Sequence, residues 1–341
     1  MIIGVLTGGG DAPGLNPTVR AVALTALSHG DEVVGFLDGW RGVQENHTIS
    51  VDRAWAERIL DEGGTNLGTS RTNPMKSEDT MNAVISNFQA NKLDTLIAIG
   101  GDDTLSVAAE LSRRGLPVVG VPKTMDNDVP ETDYCIGFDT AVNTVTQSLD
   151  KLRTTSASHH RAMVVEVMGR DAGWVAGIGG VAGGADYILL PEVEPDLEDL
   201  YSHLETVRSR GKSYALIVVA EGVQLGQPQN LENAKTDAFG HVQLAQKNVG
   251  ETLAGLIEER LGWETRSVVL GHLQRGGSPS AFDRVLGTRY GAAAVEMAHR
   301  GEFGQMVVIK GWQLQSVPLE SIAGHTKTLD PSFIAQATRL L

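Results

Sequence analysis

The chain has 341 residues, 41% of them hydrophobic, and a formal net charge of −14 at pH 7. This length favours two compact lobes over one, and the acidic balance argues against nucleic acid as a partner, because phosphate backbones are bound by basic surfaces. The single cysteine, Cys135, excludes a disulfide within the chain and fits a reducing cytoplasm, and we expect neither a signal peptide nor a membrane partner, because no apolar run is long enough.

In the first third of the chain, short apolar runs alternate with longer segments of helical period. Strands are predicted at 2–6, 33–37, 96–99 and 118–121, and helices at 17–28, 79–89 and 105–114. Alternation of this kind is typical of parallel strands joined by helical crossovers. The glycine-rich segment 8–16 joins the first strand to the first helix, where its backbone N–H groups are placed to bind an anion.

The same alternation returns in the rest of the chain. Further strands are predicted at 162–167, 187–190, 214–220, 267–270 and 306–309, and further helices at 141–153, 175–181, 197–210, 248–261 and 283–300. Residues 223–243 are polar with no clear period, which predicts a surface loop. The chain is therefore predicted to be an α/β protein with mostly parallel sheets.

Two of the predicted strands lead into segments rich in glycine and aspartate, Gly-Gly-Asp-Asp-Thr at 100–104 and Pro-Lys-Thr-Met-Asp-Asn-Asp at 122–128. Strand ends of this kind usually deliver a phosphate or metal site to the edge of a parallel sheet. A lysine and paired carboxylates suit phosphoryl transfer to a hydroxyl, which needs magnesium and a carboxylate that orients the acceptor. A structural alternative stays open for each segment, because the first could cap the helix at 105–114 and the second could be a turn closed by its own side chains.

Five segments together resemble the phosphofructokinase family: the two above, Thr-Gly-Gly-Gly-Asp-Ala-Pro-Gly-Leu-Asn at 7–16, Met-Gly-Arg at 168–170 and Gly-His-Leu-Gln-Arg-Gly-Gly at 271–277. They occur in the family's order, although the glycine loop alone fits neither the dinucleotide fingerprint nor the Walker pattern. The resemblance implies two Rossmann-like three-layer lobes. Residues 1–138 with about 274–301 would bind the phosphoryl donor, and about 139–273 with 302–341 would bind fructose 6-phosphate.

The family's catalytic residues carry over to matching positions of this sequence. By resemblance, Asp126 is the general base that takes the proton of the sugar 1-hydroxyl, and Asp128 assists it. The resemblance also makes Asp102 the ligand of an Mg2+ cofactor. The remaining catalytic positions are Thr124 in the same turn, with Arg71 and Arg170 on the transferring phosphoryl group.

A second set of positions matches the family's sugar-phosphate site. The residues that match the pocket for the 6-phosphate are Arg161, Arg266, His272 and Arg275, whereas Glu221 matches a residue that hydrogen-bonds sugar hydroxyls. Met168 and Gly169, next to Arg170, complete this set. In the family the first two of these arginines reach into a neighbouring subunit's site, so the resemblance implies a homodimer or a homotetramer.

Two positions indicate the phosphoryl donor. Family members that use ATP typically have glycine where this chain has Asp103 and Lys123, and this pair resembles the pyrophosphate-dependent branch. The Asp103 carboxylate would repel an α-phosphate, whereas Lys123 would attract pyrophosphate, and specificity is often built from such paired effects. Gly9, Gly10 and Thr104 complete the expected donor site.

The resemblance therefore implies a cytoplasmic, magnesium-dependent enzyme of glycolysis and gluconeogenesis that moves a phosphoryl group reversibly from pyrophosphate to fructose 6-phosphate. An ATP-dependent enzyme of the same fold is the alternative within the family. A catalytically silent subunit that binds phosphosugar is disfavoured, because Asp102, Asp126, Arg71 and Arg170 are all present. A lipid or NAD kinase is disfavoured by the segments that follow residue 167.

Overall fold

The computed structural model of the protein describes residues 1–226, 248–322 and 324–337, so most of the loop predicted at 223–243 lies outside the described residues. The strands in chain order are β1 (Ile2–Thr7), β2 (Glu32–Phe36), β3 (Thr48–Ser50), β4 (Thr95–Gly100), β5 (Val118–Pro122), β6 (Ala162–Val167), β7 (Tyr187–Leu189), β8 (Ala215–Ala220), β9 (Thr265–Val269), β10 (Gln305–Lys310) and β11 (Gln313–Pro318). The helices are α1 (Leu15–His29), α2 (Trp40–Glu45), α3 (Arg53–Glu57), α4 (Glu78–Ala90), α5 (Asp102–Arg113), α6 (Phe138–His159), α7 (Trp174–Ala182), α8 (Leu197–Ser209), α9 (Val249–Leu261), α10 (Ala281–His299) and α11 (Pro331–Ala337).

These strands form two sheets. Within the described residues the first sheet has the order β11-β10-β5-β4-β1-β2-β3, and the second has the order β7-β8-β6-β9. All pairings are parallel except those of the edge strands β3 and β11. Every residue of β4, β6 and β8 is buried, as expected where helices cover both faces of a parallel sheet. The predicted α/β class is confirmed.

The long elements agree with their predicted positions, with ends that mostly move by one to three residues. The helix predicted at 141–153 continues to His159 in the structure. The predicted end was too early because the last turns of the helix are Ser- and Thr-rich and carry no apolar period. The short elements α2, β3, α3 and β11 were not predicted, since none of them contains the continuous apolar run that identifies the other short strands. Among the described residues no helix combines the length and apolarity that crossing a bilayer requires.

The final part of the chain does not divide as predicted. The expectation that 302–341 belongs with the second lobe is wrong for β10 and β11, because β10 pairs in parallel with β5 and β11 pairs with β10. After β11, a 3-10 helix at Leu319–Ile322 packs against α5, and only then does the chain reach α11, which packs against α7. The apolar run at 306–309 identifies a strand, but it carries no information about which sheet the strand joins.

The two halves are joined by a buried carboxylate. Asp283, in α10, accepts hydrogen bonds from the backbone N–H groups of Gly137 (2.9 Å) and Thr140 (2.8 Å) at the start of α6. Gly137 has φ 96° and no side chain that could cap α6, so α10 caps it from outside. Burial raises the pKa of Asp283 to about 6. This contact fixes the point at which the chain leaves the first sheet for the second.

Candidate active site

A polar cavity opens where β1, β4 and β5 end, at the carboxyl edge of the first sheet. Its lining comprises Gly9, Gly10, Gly101, Asp102, Asp103, Thr104, Lys123, Thr124, Asp126, Asp128, Arg170 and Arg275. All but the two arginines come from the segments that directly follow these three strands, including the start of α5, and the arginines come from segments that follow strands of the second sheet. The structure therefore brings together the two aspartate-rich segments, the glycine loop and part of the expected sugar-phosphate site.

The buried side chain of Lys123 stabilises the glycine loop by hydrogen bonds. This side chain is 2% exposed, and its ammonium donates to the carbonyl oxygens of Gly8 (3.0 Å) and Gly10. Gly9 has φ 78°, a backbone conformation that favours glycine. A Cβ atom at Gly10 would lie 2.5 Å from the guanidinium of Arg275, so a side chain there would displace that guanidinium from its present position. Burial, with the positive charge of Arg275, lowers the pKa of Lys123 to about 8.

The segment after β4 enters its helix earlier than predicted. Helix α5 begins at Asp102 and follows Gly101, so in this described segment no side chain caps the start of the helix, and the predicted capping alternative is wrong. Asp102 and Asp103 lie in the first turn, where the helix dipole favours carboxylates. Thr104 is buried against the glycine loop, whereas Asp102 is exposed to the cavity mouth.

The turn after β5 is braced by side chains other than the Asp126 carboxylate. Asn127, at φ 54°, donates from Nδ2 to the carbonyl oxygen of Asp133 (3.2 Å) and accepts from the N–H of Cys135 (2.8 Å), while Thr124 Oγ1 accepts from the N–H of Asp126 (3.1 Å). Within the described residues, Oδ1 of Asp126 is buried and has no hydrogen-bond partner. A buried acceptor without a partner is costly, so it points to a group that the site has yet to bind.

The second carboxylate of this turn is partly neutralised by its surroundings. Burial, together with the charge of Asp126, raises the pKa of Asp128 to about 6, and the charge of Arg170 opposes this shift. The turn thus presents the unpartnered Oδ1 of Asp126 next to Asp128, a carboxylate whose pKa is raised to about 6.

Arg170 reaches the cavity from the second sheet through a strained turn. Its backbone has φ 52°, which is uncommon for a residue with a Cβ atom. Oε1 of Glu221 accepts hydrogen bonds from the N–H groups of Gly169 (3.3 Å) and Arg170 (3.1 Å), and a Cβ atom at Gly222 would lie 2.0 Å from the Arg170 carbonyl oxygen. One oxygen of Glu221, predicted to contact sugar hydroxyls, therefore holds the Arg170 turn, which Met168 precedes at the end of β6.

The four residues predicted to bind the sugar 6-phosphate do not meet in this chain. Arg275 lies in the cavity and donates to the carbonyl oxygen of Asp11 (3.0 Å), whereas His272 is exposed outside it. Arg161 and Arg266 form ion pairs with Glu264, at 2.8 and 2.7 Å.

Both of these arginines lie at the amino end of the second sheet. Arg161 directly precedes β6, and Arg266 is the second residue of β9, whereas the Arg170 turn follows the carboxyl end of β6. Six strand residues at about 3.3 Å each separate the two ends of β6 by roughly 20 Å. Arg71 is exposed and does not line the cavity.

The cavity has the chemistry of a magnesium site. Within the residues described, no group of three or more His, Cys, Asp or Glu side chains could hold a metal ion alone. Magnesium accepts one or two carboxylates and takes its other ligands from phosphate oxygens and water. The carboxylates of the lining, with the unpartnered oxygen of Asp126 and the exposed Asp102 among them, fit that requirement.

Comparison with known proteins agrees with this geometry. The family model described as Phosphofructokinase matches residues 2–298. The chain is 52% identical to the pyrophosphate–fructose 6-phosphate 1-phosphotransferase of Dictyoglomus thermophilum over 98% of this chain and 96% of that one. It is also 44% identical, over the full length of both chains, to the ATP-dependent 6-phosphofructokinase 3 of Streptomyces coelicolor. The crystal structure of the pyrophosphate-dependent phosphofructokinase of Marinobacter aquaeolei superposes with a TM-score of 0.83 at 26% identity, covering 97% of this chain and 86% of that one.

Proposed function

The chain belongs to the phosphofructokinase family, and we propose that it transfers a phosphoryl group from pyrophosphate to the 1-hydroxyl of fructose 6-phosphate. The products are fructose 1,6-bisphosphate and phosphate, and the enzyme works in both directions between glycolysis and gluconeogenesis. The observation that carries the choice of donor is the position of Lys123, buried beneath the glycine loop of the cavity.

Pyrophosphate is the donor because the cavity matches it and opposes a nucleotide. Pyrophosphate has no nucleoside to add contacts, so the protein must hold it by charge, and the Lys123 ammonium supplies a charge-assisted contact at the glycine loop. Asp103, in the first turn of α5, adds a carboxylate to the cavity lining, and we expect it to repel the further phosphate of a nucleotide. Attraction of one ligand and repulsion of the other together set the specificity.

The chemistry then falls to the turn after β5. Asp126 accepts the proton of the sugar 1-hydroxyl as that oxygen attacks the phosphoryl group, and its unpartnered Oδ1 is available for this hydrogen bond. Asp128 and Thr124 keep the turn in place, and Arg170 stabilises charge on the transferring group from the opposite side of the cavity. Arg71 acts in the same way once substrate draws it towards the cavity.

Asp102, exposed at the cavity mouth, would be the carboxylate ligand of a magnesium ion. The chemistry that the ion supplies when bound is charge neutralisation on the phosphate oxygens. Oxygens of the donor and water would supply the other ligands that magnesium prefers. We also propose that the enzyme works in the cytoplasm, where the buried thiol of Cys135 stays reduced.

A second copy of the chain completes the sugar-phosphate site. Arg161 and Arg266 lie at the end of the second sheet opposite the Arg170 turn, so they serve a neighbouring subunit's site rather than their own. There they join His272 and Arg275 of that subunit around the 6-phosphate, with Glu221, Met168 and Gly169 near the sugar. The assembly is a homodimer, or a homotetramer built from such dimers.

A donor comparison tests the function directly. With fructose 6-phosphate and Mg2+, kcat/KM for pyrophosphate should exceed that for ATP at least about a hundredfold, or roughly 3 kcal/mol in transition-state binding. Tripolyphosphate serves as the matched control, because it extends the phosphate chain without adding a nucleoside, and repulsion by Asp103 should make it a poor donor too. Efficient turnover with ATP and none with pyrophosphate would establish the ATP-dependent alternative. Sugar-phosphate binding without turnover by any donor would indicate the silent subunit.

A further inference from the structure

The chain passes from the first sheet to the second near its end through a short segment, residues 324–330, called here the strap. It follows the 3-10 helix Leu319–Ile322 and leads into α11. The strap contacts the loop that contains the Asp126 turn on one side and the start of α7 on the other. The residue that makes most of these contacts is Lys327.

Lys327 binds the loop of the first sheet through both its main chain and its side chain. Its N–H donates to the carbonyl oxygen of Asp128 (2.8 Å), and its Nζ donates to the carbonyl oxygens of Thr132 (2.7 Å) and Asp133 (3.1 Å). All three carbonyls belong to one loop, which starts at the Asp126 turn. Hydrogen bonds from an ammonium are stronger than neutral ones, so this one side chain closes the loop upon itself.

The same residue is tied to the second sheet. The indole Nε1 of Trp174, the first residue of α7, donates to the carbonyl oxygen of Lys327 (2.8 Å), and Lys327 Nζ lies 4.9 Å from the centroid of that ring. Two residues later, the N–H of Leu329 donates to Oε1 of Glu192 (2.9 Å). The same oxygen accepts from the N–H of Gly173 (2.7 Å), directly before α7. The strap is therefore anchored to the segment that connects the Arg170 turn to α7.

We propose that Lys327 is a positioning residue that sets the relative placement of the Asp126 turn and the Arg170 turn. The inference rests on the proposed function, which gives these turns the general base and the phosphoryl clamp. The two side chains line one cavity but come from different sheets, so contacts between the sheets determine their separation. Lys327 does not line the cavity, so it acts through the main chain of the Asp126 loop.

The expected consequence is a loss of rate rather than of binding. Catalysis of phosphoryl transfer depends almost entirely on positioning and charge stabilisation, and a misplacement of about 1 Å can cost about a hundredfold in rate. A loop that loses the Lys327 ammonium keeps its Asn127 brace but is no longer tied to Trp174 through the strap's side chain. Substrates can still enter the cavity, but the base and the clamp spend less time at the reactive separation.

The substitution Lys327→Met keeps the length of the side chain and removes its charge and donors. We expect kcat to fall about 10- to 100-fold, with KM for pyrophosphate and for fructose 6-phosphate changed less than about threefold. Lys310→Met is the matched control, because the Lys310 side chain is exposed and pairs with Glu131 (3.1 Å) of the same loop, and it should behave like the unmodified protein. Without substrates, backbone amides at 124–135 should exchange hydrogen faster in Lys327→Met and not in the control.

The effect should vanish when the base is already absent. On an Asp126→Asn background, Lys327→Met should lower turnover less than about threefold further, because both changes damage one function. An equal loss on both backgrounds, or unchanged turnover and exchange, would overturn the proposal. If Lys327→Met does not fold, Trp174→Phe removes the indole donor instead and should give the same pattern. Absence of turnover with any donor in the unmodified protein contradicts the proposed function, whereas the exchange measurement still decides whether Lys327 holds the loop.

Discussion

The basic side chains expected to bind the donor and those expected to bind the sugar phosphate differ in burial and in their partners. Lys123 is buried and donates to carbonyl oxygens of the glycine loop, at the carboxyl ends of β1 and β5. Arg161 and Arg266 lie at the surface, paired with Glu264 at the amino ends of β6 and β9. Under the proposed function, the donor half of the site is complete in one chain, whereas the sugar-phosphate half would be divided between chains.

The interactions of the basic side chains also differ in free energy between the donor half and the sugar-phosphate half. Burial of an ammonium is costly, and the carbonyl oxygens of Gly8 and Gly10 compensate for part of that cost at Lys123. An ion pair at the surface contributes little to stability, because solvent screens it. On the proposed function, Arg161 and Arg266 could therefore exchange Glu264 for a phosphate with little loss, and the sugar-phosphate half would be assembled on association.

The strongest test of the donor half is removal of its base. Asp126→Asn should lower kcat by roughly two to four orders of magnitude, because the amide cannot accept the hydroxyl proton, and KM for fructose 6-phosphate should change less than about threefold. Steady-state turnover with pyrophosphate measures both. Glu131→Gln, an exposed carboxylate in the same loop, is the control and should leave kcat unchanged. Turnover above about a tenth of the original would mean that Asp126 only shapes its turn.

The next test separates the two contributions to donor choice. Asp103→Gly removes the repelling carboxylate and should raise kcat/KM for ATP about a hundredfold, or about 3 kcal/mol. Lys123→Gly should cost more activity with pyrophosphate than Asp103→Gly does, because it removes a charge-assisted contact and leaves the glycine loop unsupported. The double variant should not equal the sum of the single ones, since both residues share one ligand. A folded Asp103→Gly variant with no gain in ATP activity would mean that other residues exclude ATP from the site.

A smaller effect should appear in the pH profile. The pKa of Lys123, lowered by burial to about 8 from an ordinary 10.5, predicts that kcat/KM for pyrophosphate falls about tenfold per pH unit above pH 8, because kcat/KM reports the free enzyme. Bound pyrophosphate favours the charged amine, so with saturating pyrophosphate the fall should move to higher pH. The fall in activity above pH 8 cannot come from an effect of Lys123 on the stability of the fold. Between about pH 8 and 10.5 the unfolded state binds more protons, so this group's contribution to stability rises with pH. If activity falls at the same pH in kcat/KM and at saturating pyrophosphate, the group that titrates is not Lys123.

The same contrast explains how much the sequence could predict. The elements of the donor half follow from the continuous apolar runs of β1, β4 and β5 and from the helical period of α5, and glycines and aspartates follow the strand ends. The direction of a side chain is not encoded locally. His272 and Arg275 are three residues apart in one 3-10 helix, yet one is exposed and the other enters the cavity. Lys327 lies in a polar segment without a motif, and its partners are main-chain carbonyls that any sequence would offer.

The smallest expected signal is also the most direct test of the division between halves. In a symmetric dimer with shared sites, a hybrid of Asp126→Asn and Arg266→Ala chains has one doubly damaged site and one intact site. Random mixing of equal amounts makes about half of the dimers hybrids, so turnover should recover to about a quarter of the original. The matched control is a mixture of Asp126→Asn and Lys123→Gly chains. Both residues line the same cavity of one chain, so no hybrid contains an intact site and no activity should return. Equal recovery in the two mixtures, or none in either once hybrids are shown to form, would mean that Arg266 does not complete its partner's site.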